Sequence, residues 1–137
     1  MVGKANRMMG RSKNFVAAVT AAIACAIAQP TAVVAQGPVL EVYTAFLGPA
    51  DHFNSAGARL TQPWQVIRQD RANFHRYGIR DQGDQYDGFF ASSANRSRME
   101  QMILHGYIDP NAGWRIVNQN VWITVEVYAN SVSVNVQ

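Results

Sequence analysis

Three aspartates recur at every third position in the middle of the chain, at Asp81, Asp84 and Asp87. Clustered carboxylate oxygens on a flexible turn are the ligands that calcium prefers, and Gly83 lies between the first two aspartates. An EF-hand loop has acids at alternate positions and a late glutamate, and this segment has neither. The spacing therefore predicts either a calcium site built from these three residues, or aspartates that cap turns and pair with nearby arginines.

His75 is the histidine best placed for catalysis. It lies six residues before Asp81, so a loop that folds back could bring an aspartate against its imidazole and orient it as a general base. A solvated surface histidine is the simpler explanation of the same position. His52 and His105 lie 23 and 30 residues from His75, and this spacing does not match a zinc-binding motif.

The common sequence signatures of enzymes are missing from this chain. No serine lies in a G-x-S-x-G motif and no glycine-rich phosphate loop is present. The single cysteine, Cys25, lies in the N-terminal segment. The sequence therefore favours a binding protein over an enzyme, and leaves a metal-assisted hydrolase with His75 as base as the enzymatic alternative.

The segment of residues 78–95, which we name the acidic-aromatic loop, is longer than most connections in a small domain. Beside the aspartates it carries Tyr86, Phe89 and Phe90. Aromatic rings with nearby carboxylates can bind sugars or cationic groups, and the two phenylalanines could equally anchor the loop to the core. We expect this loop to form the contact surface for a protein or small-molecule ligand.

A helix is predicted over residues 62–77, because Pro63 is tolerated in a first turn and Gly78 is a typical helix end. Its apolar arc contains two charged residues, Asp70 and Arg71. An isolated buried charge is costly, so this pair must find partners at a wet edge of the arc or in the following loop. A ligand-binding or catalytic role for the pair is the alternative.

The remaining pattern predicts an α+β fold with a small antiparallel sheet and two helices on one face. The N-terminal strand covers residues 39–46, with Leu40, Val42 and Phe46 on one face. A short second helix covers residues 98–105. Alternating residues then predict a three-stranded C-terminal meander, with strands at residues 114–117, 121–129 and 132–136.

Residues 1–35 have the layout of a cleavable secretory signal peptide, with four positive charges before an uncharged run over residues 15–28. This run is shorter than the roughly 20 residues of a spanning helix. Cleavage after Ala35 fits the preference for small residues, cleavage after Ala28 is an alternative, and a retained membrane anchor is a third possibility. We therefore expect a single periplasmic or secreted domain over residues 36–137.

Removal of the N-terminal segment changes the charge of the chain. The full chain has a net charge of +3, whereas residues 36–137 hold eight arginines, no lysine and nine acids, a net charge of −1. This balance gives no case for nucleic-acid binding. Arginine makes planar, bidentate contacts with carboxylates, so the composition predicts pairing of arginine with aspartate inside the fold.

Three functional hypotheses follow from the sequence. The first is an exported binding protein of unknown ligand that uses the acidic-aromatic loop. The second is a hydrolase with calcium at the three aspartates. The third is a structural subunit of an envelope assembly, because a small open sheet exposes an edge strand that can pair with another chain.

Overall fold

The computed structural model describes residues 36–137, and the predicted signal peptide lies outside this range. The strands are β1 (Glu41–Leu47), β2 (Tyr107–Ile108), β3 (Val121–Val127) and β4 (Val132–Val136). The helices are α1 (Pro63–Ala72), α2 (Ser93–Ser97), α3 (Met99–Leu104) and α4 (Pro110–Asn118). A 3-10 helix (Pro49–His52) follows β1, and a π-helical turn (Asn73–Tyr77) extends α1. No helix within residues 36–137 is both long enough and apolar enough to span a bilayer.

The four strands form one sheet in the order β1-β3-β4-β2. The pairs β1–β3 and β3–β4 are antiparallel, and β2 adds two residues parallel to β4. The α+β class is thus confirmed, whereas the expectation of a purely antiparallel sheet is wrong. The difference lies in β2 alone, whose Tyr107 and Ile108 pair in the parallel sense with Ser133 and Val134 of β4.

The first strand of the predicted meander does not exist. Residues 114–117 lie in α4, where Asp109 caps the helix by accepting hydrogen bonds from the N–H groups of Asn111 and Ala112. Pro110 takes the first helical position, where its missing N–H has no cost. Ala112 and Ile116, four residues apart, face the core. Alternation over four residues is too short to distinguish a strand from one face of a helix.

The buried face of β1 is the opposite of the face with the predicted apolar residues. Tyr43, Ala45 and Leu47 are fully buried beneath the helices, whereas Val42 is exposed. Phe46 lies on the outer face of the sheet, where its ring centroid is 5.3 Å from that of Trp122 on β3. Phe46 is therefore apolar because it packs against Trp122 outside the core, whereas Val42 is an exposed apolar residue of the outer face.

The first predicted helix is confirmed, as α1 with its π-helical turn. The turn ends at Gly78, whose φ of 68° is in the left-handed region that glycine adopts without strain. The second predicted helix corresponds to α3, and the chain forms a further helix, α2, immediately before it. Helix α1 lies over the sheet and contributes Val66 and Ile67 to the core that β1, β3 and β4 line.

Candidate functional site

A fully buried arginine joins α1 to the acidic-aromatic loop. The Nε of Arg71 donates to Asp70 Oδ2 at 2.7 Å, and its Nη1 donates to Asp87 Oδ2 at 3.0 Å. The same Nη1 donates to the carbonyl of Gln85 at 3.1 Å. The two charges in the apolar arc of α1 thus find partners in each other and in the loop, which offsets part of the cost of burying them, while Nη2 of Arg71 has no hydrogen-bond partner among the described residues.

Two aromatic rings enclose this guanidinium group. Its central carbon lies 4.5 Å from the ring centroid of Tyr43 on β1 and 4.7 Å from that of Phe74 in the π-helical turn. Such cation–π contacts are strongest where water is excluded, as it is here. Burial also raises the pKa of the Tyr43 hydroxyl well above its usual value, against the opposing effect of Arg71, so this residue stays neutral.

His75 contacts the same aspartate as Arg71. Its Nε2 lies 2.9 Å from Asp87 Oδ2, and the other oxygen, Oδ1, accepts a hydrogen bond of 2.6 Å from the N–H of Phe90. The ring of His75 also packs against those of Phe74 and Tyr86 at centroid distances of 4.9 and 5.5 Å. The loop therefore folds back onto the histidine, in the geometry in which a carboxylate orients an imidazole.

The other two aspartates of the predicted calcium site have different neighbours. Asp84 accepts hydrogen bonds from the N–H of Phe46 on β1 and from the N–H of Asp81, at 2.8 and 2.9 Å. The carboxylate of Asp81 lies against Gly48, where an added Cβ would be 2.5 Å from Oδ2. Within residues 36–137, no three His, Cys, Asp or Glu side chains converge on a point where they could hold a metal ion. The calcium prediction therefore has no shared set of oxygen ligands in this structure.

The acidic-aromatic loop covers the free edge of β1. Gln85 donates its N–H to the carbonyl of Thr44, and its side chain accepts the N–H of Thr44, both at 2.9 Å. The carboxylate of Glu41 accepts the N–H groups of Gly88 and Phe89 at 2.8 and 2.9 Å. The loop thus occupies backbone groups that an added strand would need, and the opposite edge strand, β2, has only two residues.

A third buried carboxyl group, besides those of Asp70 and Asp87, is that of Asp51 in the 3-10 helix after β1, and it was not identified from the sequence. It accepts hydrogen bonds from Asn73 Nδ2 and from the N–H of Gly48, both at 2.8 Å. Burial raises the pKa of Asp51 to about 6 and that of Asp70 to about 7, in the second case against the effect of Arg71. The sequence feature that could have identified Asp51 is its position three residues after Gly48, where an acidic side chain commonly caps the start of a helix.

Most of the predicted binding residues are not available to a ligand. Asp70, Arg71 and Phe90 are buried, Phe89 packs partly against the core, and Asp84 is held by the backbone. Only Tyr86 projects into solvent, with 66% of its surface exposed. Except for Tyr86, these predicted residues hold the loop in place. The surface exposed to solvent is formed by other residues near the end of α1.

That surface contains a small cleft at the end of α1. Its volume is about 280 Å³, and it is bordered by Phe53, Tyr77 and Ile79, which are 42%, 47% and 53% exposed. Its polar wall includes Gln69 and Asn73. Tyr77 and Ile79, on either side of Gly78, could have indicated this cleft from the sequence, whereas Phe53 is brought to it only by the tertiary fold.

Comparisons with protein-family models, with curated proteins and with solved structures found no significant match, so the function is argued from this geometry.

Proposed function

We propose that this chain is an exported, non-enzymatic binding protein of the periplasm or the extracellular space. Its contact surface combines the acidic-aromatic loop with the end of α1. The observation that carries this proposal is the cleft bordered by exposed Phe53, Tyr77 and Ile79, with exposed Tyr86 on the same loop as Ile79. Exposed aromatic and aliphatic residues around a concavity are typical of interaction sites.

The buried contacts support a binding role because they fix the loop in one conformation. Asp87 joins the loop to Arg71 and His75, and Gln85 joins it to β1. A loop that is already ordered loses little conformational entropy when a partner binds. The loop is therefore pre-organised for binding, although it has neither helix nor strand over most of its length.

The size of the cleft favours a protein partner over a small molecule. At about 280 Å³ it is slightly smaller than the roughly 300–1,000 Å³ of pockets that enclose a ligand. It suits one apolar side chain of a partner, with Tyr77 and Phe53 as aromatic contacts at its border. Tyrosine is enriched among the residues that dominate the energy of protein–protein interfaces.

Site-specific photo-crosslinking in cells that produce the full chain tests this proposal. A photoreactive residue at Ile79 or Tyr86 should give a discrete adduct of defined mass that mass spectrometry can identify. The same residue at Trp114 or Tyr107, which are exposed elsewhere on the molecule, is the matched control. Equal adducts at all four positions, or none at Ile79 and Tyr86, would contradict the proposed surface.

A hydrolase is the second candidate, and the contact between His75 and Asp87 favours it. The test is hydrolysis of a panel of model esters by the purified protein and by the variant His75→Gln, which keeps a hydrogen-bonding side chain. Activity that is lost in this variant without a change in melting temperature would support catalysis. A wild-type protein with no activity on the panel would contradict it.

Calcium as the cofactor of this candidate is tested separately. Calcium at about 100 times its dissociation constant should stabilise the folded state by about 2.7 kcal/mol. The melting temperature should then rise on adding calcium and fall on adding a chelator. An unchanged melting temperature would remove calcium from the proposal.

A further inference from the structure

Three arginines surround a second, smaller cleft between α1 and α2. Arg68 and Arg76 lie four residues on either side of Ala72, and Arg96 of α2 faces them. The cleft, which we name the arginine cleft, has a volume of about 180 Å³ and also includes Ser93. The methyl side chain of Ala72 leaves space between the longer side chains.

None of the three arginines has an acidic partner. All nine acids of the sequence lie in the part of the chain that the structure describes, and none is within 4 Å of a guanidinium nitrogen of Arg68, Arg76 or Arg96. The ion pairs found in this part of the chain involve only Arg71 and His75. Like charges that share a cleft repel each other, and a bound anion would remove this repulsion.

The arginines are held in position by contacts other than ion pairs. Arg96 is nine-tenths buried, and its Nη1 donates to the carbonyls of Phe90 and Ala91. The guanidinium groups of Arg68 and Arg76 lie over the rings of Trp64 and Tyr77, at 4.9 and 5.1 Å from the centroids. The positive groups are therefore arranged in advance, which reduces the cost of binding.

From these observations we propose that the arginine cleft binds a phosphate group. Guanidinium groups match the oxygens of phosphate in fork-like, charge-assisted hydrogen bonds. The volume of 180 Å³ admits the phosphate and leaves any larger part of the ligand outside. The group belongs either to free phosphate or to the headgroup of an anionic phospholipid. This site lies beside the proposed protein-binding cleft, with Gln69 lining both, but its arginines do not line that cleft.

Titration of the exported chain with inorganic phosphate, with chloride at matched ionic strength as the blank, tests the site. Arg76→Gln should weaken phosphate binding at least about tenfold, because it removes a charge-assisted hydrogen bond. Arg80→Gln is the matched control: it makes the same charge change four residues away, in an exposed arginine that also lies over an aromatic ring. It should bind phosphate as the wild type does.

Vesicles of phosphatidylglycerol, compared with vesicles of phosphatidylcholine, distinguish the two sources. Binding of inorganic phosphate that depends on Arg76 and not on Arg80 supports a site for the free ion. Binding only to phosphatidylglycerol vesicles with the same dependence supports a headgroup site. Equal loss of binding in the two variants, or no binding to either probe, overturns the proposal. None of these binding results changes the outcome expected from crosslinking at Ile79, so the two proposals can fail separately.

Discussion

Helix α1 and its π-helical turn carry arginines in two opposite environments. Arg71 is fully buried and has two carboxylates, from Asp70 and Asp87. Arg68 and Arg76, three residues before it and five residues after it, border the arginine cleft with no carboxylate in reach. Acids and arginines are almost equal in number over residues 36–137, yet they are not evenly paired. On this helix the buried arginine has carboxylate partners and the two exposed arginines have none, whereas the buried Arg96 of α2 has the carbonyls of Phe90 and Ala91 as acceptors instead.

The physical reason is the difference in solvation between the two sites. A buried guanidinium has no water to replace a missing carboxylate, so an unpaired charge there would destabilise the fold. An exposed guanidinium is solvated and its interactions are screened by salt, so the fold tolerates it without a partner. Arg68 and Arg76, which are exposed, are therefore available to a ligand, and Arg71 is not.

The largest effect that would test this comparison is expected from Arg71→Met. This variant leaves Asp70 and Asp87 buried without their cation, so the free energy of unfolding should fall by about 3–5 kcal/mol. Urea denaturation followed by circular dichroism measures it. A loss below about 1 kcal/mol would show that the buried pair is not held as the structure indicates.

A double variant sharpens the same test. Removing the negative charge as well, in Arg71→Met with Asp70→Asn, should recover part of the lost stability, because one buried charge no longer lacks a partner. A double variant that is destabilised by the full sum of the two single effects would contradict a direct interaction between Asp70 and Arg71.

The next effect concerns the pH dependence of stability. The pKa of Asp70 is raised from 3.8 to about 7, so the folded state binds a proton that the unfolded state has released. The stability from this proton is fully present below pH 3.8 and is lost as the pH rises through about 7. The amide that replaces the carboxyl group in the variant Asp70→Asn cannot ionise, so the stability of this variant relative to the wild type should rise by about 2–3 kcal/mol between pH 5 and pH 8.

Thermal melts of the two proteins across this range measure the difference. The comparison cancels the contributions of other groups with shifted pKa values, such as Asp51, whose pKa is also raised, and His52, whose pKa is lowered by burial. A difference between variant and wild type that does not change with pH would show that Asp70 keeps its charge throughout. The dominant effect on Asp70 would then be its ion pair with Arg71 and not its burial.

The buried pair Asp70–Arg71 could be predicted from the sequence, because two charged residues lie within the apolar face of a predicted helix. Asp70 and Arg71 lie in an apolar arc of a helix, and only partners from elsewhere in the chain could resolve that conflict. The contact of His75 with an aspartate of the following loop had a similar local cause, since the two are close along the chain. Short separations along the chain and the helical period of α1 were therefore enough to predict this buried cluster, although not the buried face of β1.

The arginine cleft could not be predicted in the same way. Arg68 and Arg96 are 28 residues apart, and their proximity depends on how α2 packs beside α1, which no local pattern records. The face of β1 was wrong for a related reason, because Trp122 gives Phe46 an apolar neighbour outside the core. Both the arginine cleft and the orientation of β1 thus depend on contacts between segments that are distant in the sequence.

A smaller loss of stability is expected when an acid without an arginine partner is replaced. Asp84→Ala removes the acceptor of the N–H groups of Phe46 and Asp81, both in part-buried surroundings. The free energy of unfolding should fall by about 1–2 kcal/mol. A loss that grows to match that of Arg71→Met would mean that Asp84 also contributes to the charge of the buried site. No loss would mean that the loop is not held to β1 by this carboxylate.

The smallest effect is expected at the arginine cleft in the absence of any ligand. Arg76→Gln removes one of three like charges, so at low ionic strength the variant should be more stable than the wild type by about 0.3 kcal/mol. Salt at about 1 M screens such repulsion within roughly 3 Å, so the difference should then vanish. Arg80→Gln, outside the cleft, should show no such dependence on salt. A variant Arg76→Gln that is less stable at every salt concentration would show that Arg76 holds the fold together as Arg71 does, and that the contrast between the two arginines is one of degree.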